Sequence, residues 1–494
     1  MEPLDRRAFL TRAGAFAAGA LLPGWVSASA GAATDPRVRA LARAVRGQVL
    51  TPASPGYNVA RLPVNSRYDG IRPLAILRAA GVGDVQQAVR WAARTGVPIV
   101  ARSGGHSYAG YSTTRGLIVD LSAFDGIQPN RAAGTVRIGA GARLVDVYST
   151  LNPRGITIPA GSCPTVGIGG LALGGGVGFA SRAMGTTSDN VRAVTMVAAN
   201  GAVVQASAGK NEDLLWASRG GGGGNFGIVT GFTLGTHPVG PAAYFTATFP
   251  WSAAEDVVTR WQSWAPEAPD GLFSICSLGT GSSAPQLSVF GQYLGSQATL
   301  TRLLRRLTSA ARPSSLSVGT SSYLNLQLRW GGCLGKSLTA CRALPYASFA
   351  AKSDYVSRPL PARAVGIMTR WLGQRQASGQ GSGALLLDSY GGAINRVSPG
   401  ATAFVHRDNL FSIQYGAYWE TPSAEGPSLT WIRGVHRALR PFVSGFAYQN
   451  YIDPDLADYR HAWYGANYPR LAQVKKRWDP HGLFHFPQGI TATA

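Results

Sequence analysis

Two nucleophilic side chains, His106 and Cys163, lie in separate glycine-rich segments of the sequence. His106 follows Arg-Ser-Gly-Gly, and Cys163 follows Gly-Ser at the start of a glycine-rich stretch over 161–178. Glycine-rich loops let the backbone approach a large, charged ligand closely and present several N–H groups to it. Because each loop also carries a reactive side chain, the pair predicts a cofactor that is held by main chain and bonded at two edges.

A third glycine run, over 219–229, leads directly into a predicted strand, and three such loops favour an extended ligand. The second loop also contains Gly-x-Gly-x-x-Ala over 167–172, with Asp189 near the position of a ribose-binding acid. That fingerprint must follow a buried strand and open a helix. Residues 161–166 are turn-like instead, so we reject a Rossmann fold.

His481 and His485 have the i, i+4 spacing of a metal-binding pair. However, Pro480 precedes them, no glutamate lies between them, and no third ligand is evident. The sequence therefore predicts no metal site.

The elements that must position the reactive loops form one α+β region over about 70–237. An amphipathic helix is predicted over 84–97, with Asp84 as a possible N-cap and Gly96 as its stop. It precedes a short buried strand that runs into the His106 loop. The predicted strands of this region are 98–102, 117–121, 135–139, 191–204 and 227–234.

After residue 241 the pattern changes to apolar–polar alternation interleaved with helices. We interpret 242–445 as a second domain, an antiparallel sheet covered by helices on one face. With 494 residues the chain is long enough for two cores. The predicted strands here are 243–249, 273–278, 286–293, 385–390 and 410–419, and the helices lie near 253–264, 297–311 and 361–376.

The net charge of +22 does not indicate nucleic-acid binding. Of the 46 basic residues only five are lysines, and the 41 arginines are scattered singly, with no basic run like a nucleic-acid arm. We therefore expect no specific nucleic acid, and at most electrostatic association with an anionic cell wall or membrane surface.

Residues 1–32 resemble a twin-arginine signal peptide. Arg6 and Arg7 precede a small-apolar run, and cleavage sites are plausible at 28–30 or 30–32. We expect the leader to be removed and the protein to be secreted already folded, and a general secretory signal is the alternative. No other segment is apolar and long enough to span a bilayer.

Export permits disulfides, and four cysteines are present. Cys333 and Cys341 are close in sequence, so we expect them to bridge. Cys276, in an alternating apolar run, is expected to be a buried core thiol.

The three glycine loops resemble those of the berberine bridge enzyme-like oxidases, FAD enzymes of the vanillyl-alcohol-oxidase superfamily. Two C-terminal elements, Tyr-Gln-Asn-Tyr-Ile-Asp from Tyr448 and Trp-Tyr-Gly-Ala-Asn-Tyr from Trp463, resemble that family's closing segment, with Trp463 as a minor departure. The resemblance covers nearly the whole mature chain. It implies a two-part PCMH-type FAD-binding domain over 33–241, a substrate domain over 242–445, and a C-terminal segment over 446–494 that returns to the FAD domain.

The resemblance also implies how FAD is held. His106 would bond the flavin 8α-methyl and Cys163 would bond C6, so the cofactor would be doubly tethered. Further positions match the family's cofactor-binding segments. These are Arg102, Ser103, Gly104, Gly105, Ser107, Gly167, Gly170, Gly174, Gly175, Gly178, Asn225, Gly227, Ile228, Val229, Asn450 and Tyr451.

Oxidation by a flavin needs a base that takes the hydroxyl proton while hydride moves to N5. Tyr448 matches the family's base position, and its pKa, near 10 when unperturbed, would have to be lowered by donors or positive charge. Asp388 and Tyr390 match positions that orient substrate or assist proton removal. The alternative is that all three are core residues. His406 matches a family segment with a structural or pocket-lining role.

The resemblance implies a secreted oxidase that passes electrons to dioxygen and gives hydrogen peroxide. Its substrate would be a sugar, an oligosaccharide or a glycosylated or alkaloid-like secondary metabolite. Five tryptophans of the second domain are candidates to stack on such a substrate: Trp251, Trp261, Trp264, Trp330 and Trp419. Two alternatives are a flavin dehydrogenase with another electron acceptor, and a non-catalytic, wall-associated binding protein.

Overall fold

The chain folds as an α+β protein built on three main sheets, in agreement with the predicted fold class. The computed structural model describes residues 35–343 and 346–493, so the predicted leader at 1–32 lies outside the described residues. The strands are β1 (Gln48–Leu50), β2 (Ala75–Arg78), β3 (Ile99–Arg102), β4 (Leu117–Asp120), β5 (Ile127–Asn130), β6 (Thr135–Gly139), β7 (Ile156–Thr157), β8 (Val191–Ala198), β9 (Val203–Ser207), β10 (Gly227–Gly235), β11 (His237–Pro238), β12 (Ala242–Phe249), β13 (Leu272–Gly279), β14 (Gln286–Tyr293), β15 (Ser315–Ser321), β16 (Ser348–Val356), β17 (Ser382–Ser389) and β18 (Phe411–Trp419).

The α-helices are α1 (Pro36–Ala44), α2 (Tyr57–Ala60), α3 (Val82–Thr95), α4 (Leu144–Leu151), α5 (Ile168–Leu173), α6 (Ser181–Met184), α7 (Glu212–Ala217), α8 (Ala254–Glu267), α9 (Gln297–Thr308), α10 (Tyr323–Trp330), α11 (Leu338–Cys341), α12 (Ala362–Ser378), α13 (Glu425–Leu439), α14 (Tyr459–Tyr464) and α15 (Tyr468–Trp478).

A four-stranded sheet in the order β1-β2-β4-β3 carries the His106 loop at the end of β3. Strands β2 and β3 both run parallel to β4, and the predicted helix α3 precedes β3 and ends at Gly96 in the left-handed conformation. Asp84 is not its N-cap. The helix begins at Val82, and the buried Asp84 carboxylate accepts from the backbone N–H groups of Arg46, Gly47 and Ala80.

A five-stranded antiparallel sheet in the order β5-β6-β10-β8-β9 supports the other two glycine loops. The Cys163 loop lies between β7 and β8, and the third glycine run immediately precedes β10. The single strand predicted over 191–204 is two strands, because a turn with Gly201 at φ 77° reverses the chain between β8 and β9.

A seven-stranded antiparallel sheet in the order β15-β12-β14-β13-β17-β18-β16 forms the second core. Odd-numbered residues of β18, such as Phe411, Ile413 and Tyr415, pack in one cluster with side chains of α8, α9, α12 and α13. The opposite face carries Phe273 and Phe290, which pack against Phe179. Helices α8, α9, α12 and α13 therefore cover one face of the sheet, as predicted, whereas α10 packs Leu326 and Trp330 against the opposite face.

The C-terminal segment lies against the third glycine run. Lys475 Nζ donates to the carbonyl oxygens of Asn225 and Phe484 and pairs with Asp479, while the backbone N–H of Ile490 donates to Asn225 Oδ1. Because these contacts are buried, they hold residues 475–490 against the start of β10.

Cys333 and Cys341 form the predicted disulfide, with their Cα atoms 5.7 Å apart. Cys276 is a fully buried free thiol, and burial raises its pKa. Within 35–343 and 346–493, no helix is both long and apolar enough to cross a membrane.

Candidate active site

The three glycine loops, one face of the seven-stranded sheet and the C-terminal segment enclose a cavity of about 1050 Å³. This volume is slightly larger than the usual range for ligand pockets, roughly 300–1,000 Å³. Fourteen of the predicted cofactor-binding residues line it: His106, Cys163, Ser103, Gly104, Gly105, Ser107, Gly167, Gly170, Asn225, Gly227, Ile228, Val229, Asn450 and Tyr451.

The His106 and Cys163 loops are in direct backbone contact. A Cβ on Gly104 would lie 2.3 Å from the backbone nitrogen of Gly167, and one on Gly167 would lie 1.9 Å from Ser103 Oγ. Only glycine fits at either position. The two loops are further joined by a hydrogen bond of 2.9 Å between His106 Nε2 and Thr165 Oγ1.

His106 lies deep in the protein, where its ring is partly open only to the cavity. Burial and, to a smaller extent, the positive charge of Arg143 lower its pKa to about 4, although the Thr165 backbone carbonyl opposes the change. The imidazole is therefore neutral near pH 7, which is the form of histidine that acts as a nucleophile. Cys163, which is not part of the disulfide, is partly exposed on the same cavity wall.

The Tyr448 hydroxyl also lines the cavity and receives two hydrogen bonds. The backbone N–H of Gly176 donates to it over 2.7 Å and the Asn450 amide over 2.9 Å. With both donors in place, the phenolic proton must be directed elsewhere, and a phenolate would be stabilised. The pKa of Tyr448 is nevertheless about 12, because burial outweighs the two donors and the Asp388 charge adds to the rise. The net lowering expected from sequence is therefore not found.

Asp388 and Tyr390 lie behind the cavity wall and do not line it. The Tyr390 hydroxyl is 3.0 Å from that of Tyr355, and its backbone carbonyl accepts from the Arg182 guanidinium. Both predicted residues are buried at the end of β17, close enough to Tyr448 for their charges to influence one another.

Sequence reasoning missed the residues of the sheet that do line the cavity. Leu386 on β17 and Gln414 on β18 are directly paired across the sheet, and Gln414 Nε2 donates to the Tyr108 hydroxyl over 3.0 Å. The rings of Phe349 and Tyr418 stack beside them with centroids 5.5 Å apart. The sequence of β18 does carry a signal. Every second residue is apolar, and the large polar side chain of Gln414 lies among the residues of the opposite face.

None of the five tryptophans proposed to stack on substrate lines the cavity. Trp261, Trp264 and Trp330 are buried in the two cores that flank the seven-stranded sheet, and Trp419 is buried as well. Trp251 packs against the helix-covered core. Large apolar side chains contribute most to stability when fully buried, which explains this placement.

Four predicted cofactor-binding residues lie outside the cavity lining. The Arg102 guanidinium donates to the backbone carbonyls of Ala60, Arg61 and Ser112, so it supports the loop that follows it. The other three are glycines at sites of close approach, and each would collide with a neighbour if it carried a Cβ. These are Gly174 against Asn450, Gly175 against Phe404 and Gly178 against Ala160.

Asp189 is not available to a ribose, since its carboxylate accepts two hydrogen bonds from the buried Arg407 guanidinium, at 2.6 and 2.9 Å. The glycines over 167–172 follow a loop and not a buried strand, since the two-residue strand β7 ends at Thr157, which supports rejection of the Rossmann fold. His406 has a structural place: its ring stacks on Tyr355 at 4.2 Å, and Nε2 is 3.2 Å from Gln449 Oε1. In the described part of the chain, no three His, Cys, Asp or Glu side chains are grouped to hold a metal.

The cavity fits FAD. It is long enough to touch all three glycine loops, and a Cβ on Gly170 would meet no protein atom within 4 Å, so the backbone there is bare toward the cavity. His106 and Cys163 would meet the ring system, and the glycines over 222–224 would follow the rest of the molecule. Only backbone without side chains allows so close an approach.

Comparison with known proteins agrees with this site. Residues 73–207 match the FAD binding domain family, and residues 447–491 match the family described as berberine and berberine like. The FAD-linked oxidoreductase YgaK of Bacillus subtilis is 33% identical over 452 residues, which cover 90% of this chain and 96% of that one.

Two solved structures share the fold over most of the chain. Physcomitrella patens BBE-like 1 is 35% identical with a TM-score of 0.86, and the match covers 93% of this chain and 100% of that one. A chitooligosaccharide oxidase is 27% identical with a TM-score of 0.84 over the same shares of both chains.

Proposed function

We propose that this chain, which belongs to the berberine bridge enzyme-like family of FAD-linked oxidoreductases, is a secreted oxidase whose FAD is bonded to both His106 and Cys163. It would oxidise an alcohol or hemiacetal carbon of a sugar, oligosaccharide or glycosylated secondary metabolite and pass the electrons to dioxygen, giving hydrogen peroxide. One observation supports this above all: the His106 imidazole, the Cys163 thiol and the Tyr448 phenol line the same cavity.

When bound, the flavin supplies the acceptor for a hydride. Tyr448 takes the hydroxyl proton of the substrate, and Gly176 and Asn450 stabilise the phenol oxygen through their hydrogen bonds. Gln414 and the Tyr108 hydroxyl, already joined to each other, orient the substrate from the sheet side. Asp388 acts from behind the wall, where its charge makes the deprotonated Tyr448 oxygen more basic, and the uncharged Tyr390 packs in the same buried cluster as Tyr448.

The lining disfavours a cationic substrate and offers flat aromatic faces. Aromatic rings such as Phe349 and Tyr418 give surfaces on which a sugar ring can stack. No aspartate or glutamate is present in the cavity lining over the described residues, so an amine-bearing alkaloid would find no counter-charge. The similarity to a chitooligosaccharide oxidase supports the same substrate class.

Secretion is supported by the twin-arginine-type leader and by the disulfide between Cys333 and Cys341. Export in the folded state would let the protein load FAD before it leaves the cell. Outside, the charge of +22 would favour loose association with an anionic cell wall.

A denaturing gel viewed under ultraviolet light tests the attachment. Wild type, His106→Ala and Cys163→Ala should each retain fluorescent flavin after acid precipitation, and the double variant should release it. Loss of all colour from wild type would refute covalent attachment.

An oxygen electrode and a peroxide assay with neutral oligosaccharides test the oxidase assignment. Flavin reduction without oxygen consumption would identify a dehydrogenase instead. A colourless protein from its native host would favour the non-catalytic alternative.

A further inference from the structure

We infer that Thr165 is the positioning residue for covalent attachment of FAD to His106, because its hydroxyl holds Nε2 and leaves Nδ1 to form the bond. This inference rests on the covalent attachment proposed above. It concerns a residue that does not itself touch the reacting carbon.

The geometry of the imidazole supports this role. A neutral imidazole carries one N–H donor and one nitrogen lone pair, and only the lone pair attacks carbon. Thr165 Oγ1 lies 2.9 Å from Nε2 of His106. When Nε2–H donates to this oxygen, the lone pair resides on Nδ1, and the ring is fixed in rotation as well as in tautomer.

Thr165 is itself rigidly held. It is 1% exposed, and the carbonyl groups of its two neighbours, Pro164 and Val166, accept from the backbone N–H groups of Val145 and Leu144 at the start of α4. A hydroxyl fixed in this way can act as a geometric reference for the ring, which a mobile side chain or a water could not.

The same contact joins the two attachment sites. Thr165 is two residues after Cys163, and its loop interlocks with the His106 loop where Gly104 meets Gly167. The position of the imidazole is therefore set relative to the thiol, so one bound FAD can reach both.

Covalent attachment requires a partner at Nε2 that accepts a hydrogen bond before the step and donates one after it. Bond formation joins Nδ1 of His106 to the 8α carbon. One hydrogen leaves that carbon, the ring loses its Nε2 proton, and dioxygen takes up two electrons and two protons as hydrogen peroxide. Thr165 Oγ1 accepts from Nε2–H before the step and can donate to the bare Nε2 after it. A serine hydroxyl can do the same, and a valine side chain of equal shape cannot.

The test uses Cys163→Ala as background, so that His106 is the only attachment point. Apoprotein is mixed with FAD in air, and covalent flavin is followed over time by in-gel fluorescence and by the mass of the His106 peptide. We expect Thr165→Val to slow incorporation by about tenfold to a hundredfold, the range seen when a hydrogen-bond partner of a metal-ligating histidine is removed. Thr165→Ser should stay close to the background rate.

Two further readouts separate positioning from general damage. Non-covalent FAD binding, measured by quenching of flavin fluorescence, should be equal in the valine and serine variants. Fragmentation and NMR of the flavin peptide should locate the bond at Nδ1. Equal incorporation rates for valine and serine, or a bond at Nε2, would overturn the inference. Absence of covalent flavin in Cys163→Ala alone would instead refute attachment at His106, and with it this role for Thr165.

Discussion

The Tyr448 hydroxyl accepts a hydrogen bond of 2.7 Å from the backbone N–H of Gly176, two residues whose positions in the chain are 272 apart. This bond joins the C-terminal segment to the glycine-rich stretch that begins at Gly161. A backbone donor cannot rotate away, so the position of the phenol oxygen is set by the main chain of a different part of the molecule. The phenol that we propose as the base is thus held by the same stretch that carries Cys163.

Tyr448→Phe should slow flavin reduction by substrate by about 10²- to 10⁴-fold, the usual contribution of a general base. The flavin content and absorption spectrum should not change, because the ring still packs against Phe404 and Tyr451. Rapid-mixing measurement of flavin bleaching without oxygen gives the rate. Tyr57→Phe, at a fully buried tyrosine outside the cavity lining whose hydroxyl donates to the Pro73 carbonyl, is the matched control and should reduce at nearly the wild-type rate.

The pH profile of this rate should be shifted toward alkaline pH. Because burial raises the pKa of Tyr448 to about 12, the deprotonated base becomes more abundant with every unit of pH up to that value. The rate constant in wild type should therefore climb between pH 7 and pH 10 without levelling off. In Tyr448→Phe the climb should vanish, and a plateau below pH 8 in wild type would contradict the assignment.

Gly174→Ala should make deprotonated Tyr448 less abundant without changing Tyr448 itself. A Cβ at Gly174 would lie 2.0 Å from Asn450 Oδ1, and the φ of −104° itself permits alanine, so the substitution acts by displacing the Asn450 amide. Loss of this donor from the phenol oxygen should slow flavin reduction about tenfold and move the pH profile further to the alkaline side. Gly366→Ala, in the interior of α12 with open space around it, should leave the rate unaffected.

Five strands of the seven-stranded sheet were readable from sequence because they alternate between an apolar core face and a second face. Two strands were missed. Strand β15 is mostly exposed along its length, and β16 contains the polar run Lys352, Ser353 and Asp354, so neither shows that alternation. The site was harder to predict. His106, Cys163 and Tyr448 stand out by residue type. Gln414 lines the cavity only because its strand pairs in register with Leu386, which the local sequence does not show.

Other parts of the site depend on contacts between distant segments. Gly174 and Gly178 read as cofactor-binding glycines because nothing in the sequence shows that Asn450 and the Ala160 carbonyl press against them. The five tryptophans were misassigned because stacking on a sugar and packing in a core require the same residue type. Pairwise geometry of this kind is decided by the fold as a whole, beyond local patterns.

His406 should make the protein less stable in acid. Burial lowers its pKa to about 3, so between pH 6.5 and 3 the unfolded chain binds a proton that the folded protein excludes. The contribution of His406 to the free energy of unfolding is complete above pH 6.5 and should fall by about 1.4 kcal/mol for each pH unit below that value. Urea denaturation at several pH values between 6.5 and 4.5 gives the free energy of unfolding as a function of pH. The slope of this free energy against pH should be smaller by that amount in His406→Asn. The exposed His481→Asn variant should keep the wild-type slope.

Lys352→Met should lower the free energy of unfolding by about 3–5 kcal/mol, as expected when one partner of a buried ion pair is removed. Lys352 Nζ lies 2.8 Å from carboxylate oxygens of both Asp453 and Asp455, and it links β16 to the C-terminal segment. Arg306→Met, which breaks the exposed pair with Glu267, should cost less than about 1 kcal/mol. Similar losses in the two variants would show that the buried cluster is no stronger than a surface pair.

Along the nine residues of strand β18, positions that build the core alternate with positions on the side of the cavity. Its odd positions from Phe411 to Ala417 pack in the helix-covered core, and the side toward the cavity includes Gln414 and Tyr418. Replacements at those two positions can thus change what the cavity accepts with little penalty to the core, while replacements one residue away cannot. Evolution, or an engineer with a small library at 414 and 418, can redirect such an enzyme to new substrates without rebuilding it.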